Sequence, residues 1–106
     1  MQTHDLLFRA LADPTRRAIF ERLCAEGDRT VGELTETAGV SQPVVSKHLR
    51  QLKEAGLVEG RADGRQTFYR AKAGELAPLA DWTQRMTGFW AARLDGLDTL
   101  LQRMDQ

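Results

Sequence analysis

The sequence predicts a mainly α-helical chain with one small β-hairpin, an α+β arrangement in which helices dominate. Three observations carry that expectation. Between residues 30 and 56, two short amphipathic patterns flank a glycine turn, Ala38-Gly39-Val40. Directly after them, Leu57-Val58 and Thr67-Phe68-Tyr69 are β-prone runs on either side of Asp63-Gly64, a dipeptide that favours a tight hairpin turn. From about residue 76 to 104, apolar residues recur at intervals of three and four, the spacing of one long helix. Helix, tight turn, helix and basic hairpin in that order are the plan of a winged helix-turn-helix, here followed by a long C-terminal helix.

The first helix is expected over about residues 3–12, where Leu6, Leu7, Ala10 and Leu11 share a helical spacing. It closes before Pro14, because a residue preceding proline disfavours the helical region. Asp13-Pro14 opens the next helix, with an acid at the N-cap and proline at the first helical position. Ala18, Ile19, Leu23 and Cys24 form its apolar face, and Gly27 ends it. Arg16 and Arg17 read as solvated or ion-paired surface in preference to phosphate contacts. Thr30 and Glu33 have the spacing of a capping box, in which hydroxyl and carboxylate satisfy each other's backbone N–H. Val31, Leu34 and Ala38 point inward, Gly39 supplies a left-handed turn position, and Val40 packs inward. Ser41 caps the following helix, with Pro43 in its first turn.

That helix separates into two faces. Val45, Leu49, Leu52 and Ala55 recur at four, three and three residues and form the core side. Gln42, Ser46, Lys47, Arg50 and Lys53 lie opposite, all able to hydrogen-bond outward, with no acid until Glu54. Gly56 ends the helix. Arg61 and Arg65 flank the hairpin tip, within reach of a polyphosphate backbone or a minor groove. In the last helix, Leu79, Trp82, Met86, Phe89, Trp90, Leu94, Leu97, Leu101 and Met104 make one stripe. At 1.5 Å per residue this helix is roughly 40 Å long, more than the small domain before it can cover. The stripe therefore reads as mixed core and subunit interface. Gly88 and Gly96 cost about 1 kcal/mol each if interior, which leaves room for a bend or a close helix–helix approach.

With 106 residues there is space for one domain, residues 1–106, and no second core. An apolar content of 42% and a charged content of 28% suit an ordinary soluble globule. No apolar run approaches the ~20 residues that span a bilayer, and the start lacks the basic and apolar regions of a signal peptide. A cytoplasmic protein fits best. The single cysteine, Cys24, cannot close an internal disulfide. It reads as a small core residue, since a redox sensor needs an exposed, activated thiolate. Net charge is zero, yet residues 41–72 carry +4 while 1–40 and 73–106 carry −2 each. Positive charge is concentrated on the expected reading helix and hairpin, as phosphate binding requires.

These residues carry a family resemblance. Ala10-Leu11-Ala12-Asp13-Pro14-Thr15-Arg16-Arg17, the run from Val40 to Leu49, and Leu52-Lys53-Glu54-Ala55-Gly56-Leu57-Val58 resemble the ArsR-type winged-helix repressors, over nearly the whole chain. The resemblance implies a helix-turn-helix at about 30–56, a wing at about 57–72, and dimerisation helices at about 3–12 and 76–104. It implies a homodimer that binds an inverted-repeat operator and represses transcription. Gln42, Pro43, Ser46 and Lys47 then fall where family members touch the major groove, with Arg50 and Lys53 adding phosphate contacts. Arg61, Arg65 and Gln66 fall on the wing. The expected dimer interface is Leu6, Leu7, Leu79, Trp82, Met86, Phe89, Trp90, Leu94, Leu97 and Leu101.

The departures are equally informative. Metal-sensing members carry two cysteines around a valine at the start of the first motif helix; here Thr30 and Gly32 flank Val31. The last helix offers Asp81, Asp95, Asp98 and, beyond it, Asp105, but neither His nor Cys follows His48. Soft metals want thiolate or imidazole, so no metal and no cofactor is expected. His48 reads as a structural or phosphate-contacting residue. The resemblance leaves room for a small-molecule inducer that the residues do not name. No nucleophile–base set, phosphate-cradling loop or carboxylate pair suggests an enzyme. The competing readings are a winged helix that docks onto a protein without touching DNA, and a thiol- or small-molecule-responsive sensor.

Overall fold

The computed structural model describes residues 3–104. Its elements run α1 (Thr3–Ala12), α2 (Pro14–Glu26), β1 (Arg29–Thr30), α3 (Val31–Ala38), α4 (Gln42–Glu54), β2 (Val58–Asp63), β3 (Gln66–Ala71), a short 3-10 turn (Ala73–Leu76) and α5 (Ala77–Met104). The chain divides into two units at Leu76/Ala77.

In the first unit the core is built from one face of each helix. Leu7 and Ala10 of α1, Ile19, Phe20 and Leu23 of α2, Leu34 of α3, and Val45, Leu49 and Leu52 of α4 are buried with Leu57 and Val58. Cys24 does not join them. It is exposed, because at 100° per residue it turns one step beyond Leu23, off the arc shared by Ile19, Phe20 and Leu23. Ala18 is likewise exposed. Leu7 also departs from expectation. It is 1% exposed and belongs to the core, so the apolar residues that α1 presents outward are Leu6 and Phe8.

The helix ends follow the local chemistry. Asp13 sits extended at the N-cap of α2, and its carboxylate accepts from the Arg16 N–H at 2.9 Å. The Thr30–Glu33 capping box is complete: Thr30 Oγ1 accepts from Glu33 N–H at 3.2 Å, while Glu33 Oε1 accepts from Thr30 N–H at 3.0 Å. Ser41 occupies the N-cap of α4, but its hydroxyl makes no capping bond. Gly39 adopts φ 73°, ψ 9°, the left-handed turn that lets α4 reverse away from α3. At the far end of α4, Gly56 (φ 80°) lets Leu57 N–H reach Leu52 O at 2.9 Å and Gly56 N–H reach Lys53 O at 2.9 Å. That paired closure, with Leu52 and Leu57 buried together, fixes the direction in which the chain leaves for the hairpin.

Arg17 is exposed, as expected, and Arg16 is half-buried; neither forms an ion pair among the described residues, and both instead donate to backbone carbonyls. Arg16 donates to the carbonyls of Ala10 and Arg9, and Arg17 to that of Leu11 at 3.0 Å. These are orphan acceptors at the C-terminus of α1, so the two side chains cap the helix that precedes their own.

The sheet has three antiparallel strands in the order β1-β3-β2. Asp63 pairs with Gln66, so the two-residue turn is Gly64-Arg65 and not Asp63-Gly64. Gly64 has φ 64°, whereas no non-glycine residue described has positive φ, the pattern of a type II′ turn. Arg65 therefore sits in the tip itself. The two-residue β1 has too little sequence to announce itself; it adds Arg29↔Tyr69 and Thr30↔Phe68 to the hairpin.

The second unit is α5, one helix without a buried residue. The core half of the expectation for its stripe is therefore absent among the described residues. Phe89 and Trp90 are 64% and 63% exposed, and Leu100, outside the predicted set, is exposed on the same stripe. Gly88 and Gly96 lie within the uninterrupted helix with open space around them.

The carboxyls of Asp13 and Glu33 are held below their ordinary values of 3.8 and 4.5, chiefly by the backbone N–H groups of Arg16 and Thr30 respectively. A carboxylate whose folded value is lowered stabilises the fold above its unfolded value, and loses that contribution as pH falls through the folded one. Glu33→Gln keeps the acceptor but removes the titration. It should flatten part of the fall in melting temperature below pH 4.5; a fall as steep as the parent's would contradict this. Separately, Thr30→Ala removes the cap and should lower stability by about 1 kcal/mol in urea titration.

Candidate nucleic-acid interface

Burial of Val45, Leu49 and Leu52 turns the opposite side of α4 outward. Gln42, Pro43, Lys47, Arg50 and Lys53 are exposed there, and Ser46 is half-buried. No hydrogen bond or ion pair engages the side chains of Gln42, Lys47, Arg50 or Lys53 among the described residues. Unengaged cations and an amide on one helix face are free to meet phosphates and base edges.

The wing supplies the second part. Arg65 and Gln66 are exposed and likewise unengaged among the described residues. With Gln42 they line an open cleft of ≈ 340 Å³, floored by Thr30, Val31 and Gly32. The fold thus brings the first residue of α4 and the hairpin tip to one place, although they are more than twenty positions apart in sequence.

Arg61 stands differently. Its guanidinium lies 3.8 Å from Asp28 and 3.9 Å from Asp63, and 5.3 Å over the Phe68 ring. It is exposed but shares its surroundings with two acids at long range, which makes it a weaker candidate for phosphate than Arg65. Arg70 is held by Glu59, its cross-strand partner. Asp28, which the sequence reading passed over, is thus part of the interface's charge balance. His48 does not face outward. Its Nε2 lies 4.0 Å from Asp13 Oδ1, and its Nδ1 is buried without a hydrogen-bond partner among the described residues.

At the two positions where the family resemblance puts cysteines in metal-sensing members, the cleft is lined by Thr30 and Gly32, neither of them a thiolate. No group of three or more His, Cys, Asp or Glu that could hold a metal occurs among the described residues; Asp105 lies outside them. Although Cys24 is exposed, partial desolvation of its thiol, and next the charge of Glu21, raise its pKa, which disfavours the reactive thiolate. No helix of the described residues is long and apolar enough to cross a membrane.

Comparison with known proteins agrees with this geometry. A family model described as a helix-turn-helix domain matches residues 11–61. An HTH-type transcriptional regulator of Mycobacterium tuberculosis is 46% identical over 90 residues, which cover 80% of this chain and 83% of that protein. An ArsR-like transcriptional regulator from Rhodococcus sp. RHA1 superposes with a TM-score of 0.75 at 33% identity, covering 92% of each chain. A homodimeric winged helix-turn-helix DNA-binding domain from Mycobacterium bovis, a possible ArsR-family regulator, gives 0.65 at 30% identity, over 81% of this chain and 79% of that one. At these identities and coverages the chain belongs to the ArsR family of winged helix-turn-helix transcriptional regulators.

Proposed function

We propose that the protein is a sequence-specific DNA-binding repressor that acts as a homodimer on an inverted-repeat operator in the cytoplasm. The observation that carries this reading is the outer face of α4, where Lys47, Arg50 and Lys53 are exposed and unengaged beside Gln42 and Ser46. Cations supply sequence-independent affinity through release of counterions. Gln42 suits an adenine edge, Ser46 either base type, and Pro43 a thymine methyl. Arg65 and Gln66 extend the contact from the wing, and Arg61 joins only by releasing its acids.

Pairing is proposed through α5 with Leu6 of α1. At 100° per residue, Leu79, Trp82, Met86, Phe89, Trp90, Leu94, Leu97, Leu101 and Met104 fall within an arc of roughly 140°. All but the half-buried Leu79 are exposed, and a contiguous exposed apolar stripe marks an interaction surface. A second copy of the same stripe is the natural cover, and the homodimeric M. bovis neighbour supports it. Two reading heads would then lie about one duplex turn apart, ~34 Å. Repression follows from occupying a promoter.

A docking module without DNA contact is the less favoured reading, because a basic, amide-rich face suits phosphate better than protein. A thiol sensor is disfavoured by the raised pKa of Cys24.

Selection of bound fragments from a random duplex pool, followed by anisotropy titrations across a salt series, tests the proposal. Lys47→Ala should weaken binding to every duplex and reduce the salt slope by about 1. Gln42→Ala should cost about 1–3 kcal/mol on the selected duplex and little on scrambled DNA; equal losses on both would contradict the assigned role. Trp90→Glu should sediment as a monomer, and a persistent dimer would move the interface elsewhere. Cys24→Ser should bind as the parent does under oxidising and reducing conditions alike.

A further inference from the structure

We propose that the contact between Arg16 and Gln51 is a positioning device that sets the angle of the reading helix against α1, so that Gln51 governs operator preference without touching DNA. This rests on the DNA-binding reading above. Arg16 Nη1 donates to Gln51 Oε1 at 2.5 Å, joining residues 35 apart in the sequence. The same guanidinium donates through Nε to Ala10 O and through Nη2 to Arg9 O at 2.9 Å, the open end of α1. Its own backbone N–H is held by Asp13. One planar, rigid fork therefore joins the last turn of α1, the first turn of α2 and the flank of α4.

The neighbouring pair repeats the arrangement. Asp13, the N-cap of α2, and Arg16 in its first turn are three apart, and His48 and Gln51 are three apart on α4. Asp13 Oδ1 stands 4.0 Å from His48 Nε2. The Arg16–Gln51 bond resists tilt of α4 against α1, with His48 and Asp13 close beside it, and apolar packing alone does not specify that angle as sharply. Gln51 lies about 100° around the helix from Arg50 and about 140° from Ser46, though only about 40° from Lys47, so it borders the outward face with its amide oxygen taken up by Arg16.

Leverage makes this matter for sequence reading. Gln42 is nine residues from Gln51, ~13 Å along the helix, so a tilt of about 5° pivoting at Gln51 shifts that end by about 1 Å. A base-edge hydrogen bond works only between about 2.7 and 3.2 Å and is lost over that shift. Attraction between Lys47, Arg50 or Lys53 and phosphates falls off over a Debye length of about 10 Å and scarcely notices it. Loss of the clamp thus separates preference from affinity. Because α1 carries the exposed Leu6 and Phe8, the clamp also ties the reading helix to an outward apolar surface.

The test compares Gln51→Leu, Gln51→Glu and Arg16→Lys with the parent, on the duplex the parent selects and on its scrambled counterpart. Gln51→Leu should lose roughly tenfold in affinity for the selected duplex, the order of one charged hydrogen bond. Its affinity for scrambled DNA, salt slope and dimerisation should stay unchanged. Arg16→Lys, which keeps the charge but not the fork, should show the same selective loss. Gln51→Glu keeps the acceptor and should restore the preference. Equal losses on both duplexes, an unchanged preference in both disruptive variants, or failure of Gln51→Glu to rescue would overturn the positioning role. A parent that shows no preference for any duplex would instead defeat the DNA-binding reading, and this inference with it.

Discussion

Burial of one face of α4 is the constraint on which the rest of the structure depends. Val45, Leu49 and Leu52 are sealed against the core, so the helix cannot rotate without exposing them. With one face fixed inward, Lys47, Arg50 and Lys53 are fixed outward as a matter of helical geometry. Everything functional then follows from what borders that helix. Gly39 sets its entry, the Gly56 closure sets its exit into the wing, and the Asp13/Arg16 pair holds its flank.

Charge is arranged by the same logic at the level of the whole chain. A net charge of zero conceals +4 across residues 41–72, and the structure sorts that excess further. Arg61 and Arg70 are matched by Asp28, Asp63 and Glu59, while Arg65 and the three cations of α4 have no partner among the described residues. The unmatched ones are those proposed to attract a duplex, while the Arg70–Glu59 pair ties the two strands of the hairpin.

Much of this was legible in the sequence where a local rule dictates the outcome. The Asp13-Pro14 start, the Thr30–Glu33 box, the Gly39 turn and the two faces of α4 each depend on residues within one or two helical turns, and each stands where the pattern points. The pairing of Arg70 with Glu59 follows from a hairpin register, and it escaped only because the turn was centred one residue too early. Cys24 was misplaced because an apolar residue next to Leu23 looks like core until the helical arc is measured. The contacts of Arg16 with Gln51 and of Arg61 with Asp28 join residues 35 and 33 positions apart, and no local pattern encodes them. The fate of the α5 stripe is not encoded within one chain, since the pairing proposed for it needs a second copy.

The central claim is that the outward face of α4 enters duplex grooves from a paired protein. Hydroxyl-radical footprinting on the duplex the protein selects tests it most directly. The account predicts two protected patches related by a dyad, with centres about one helical turn, ~34 Å, apart, both lost on substituting Lys47 and Arg50 together. A single unpaired patch, or protection that survives those substitutions, would contradict it.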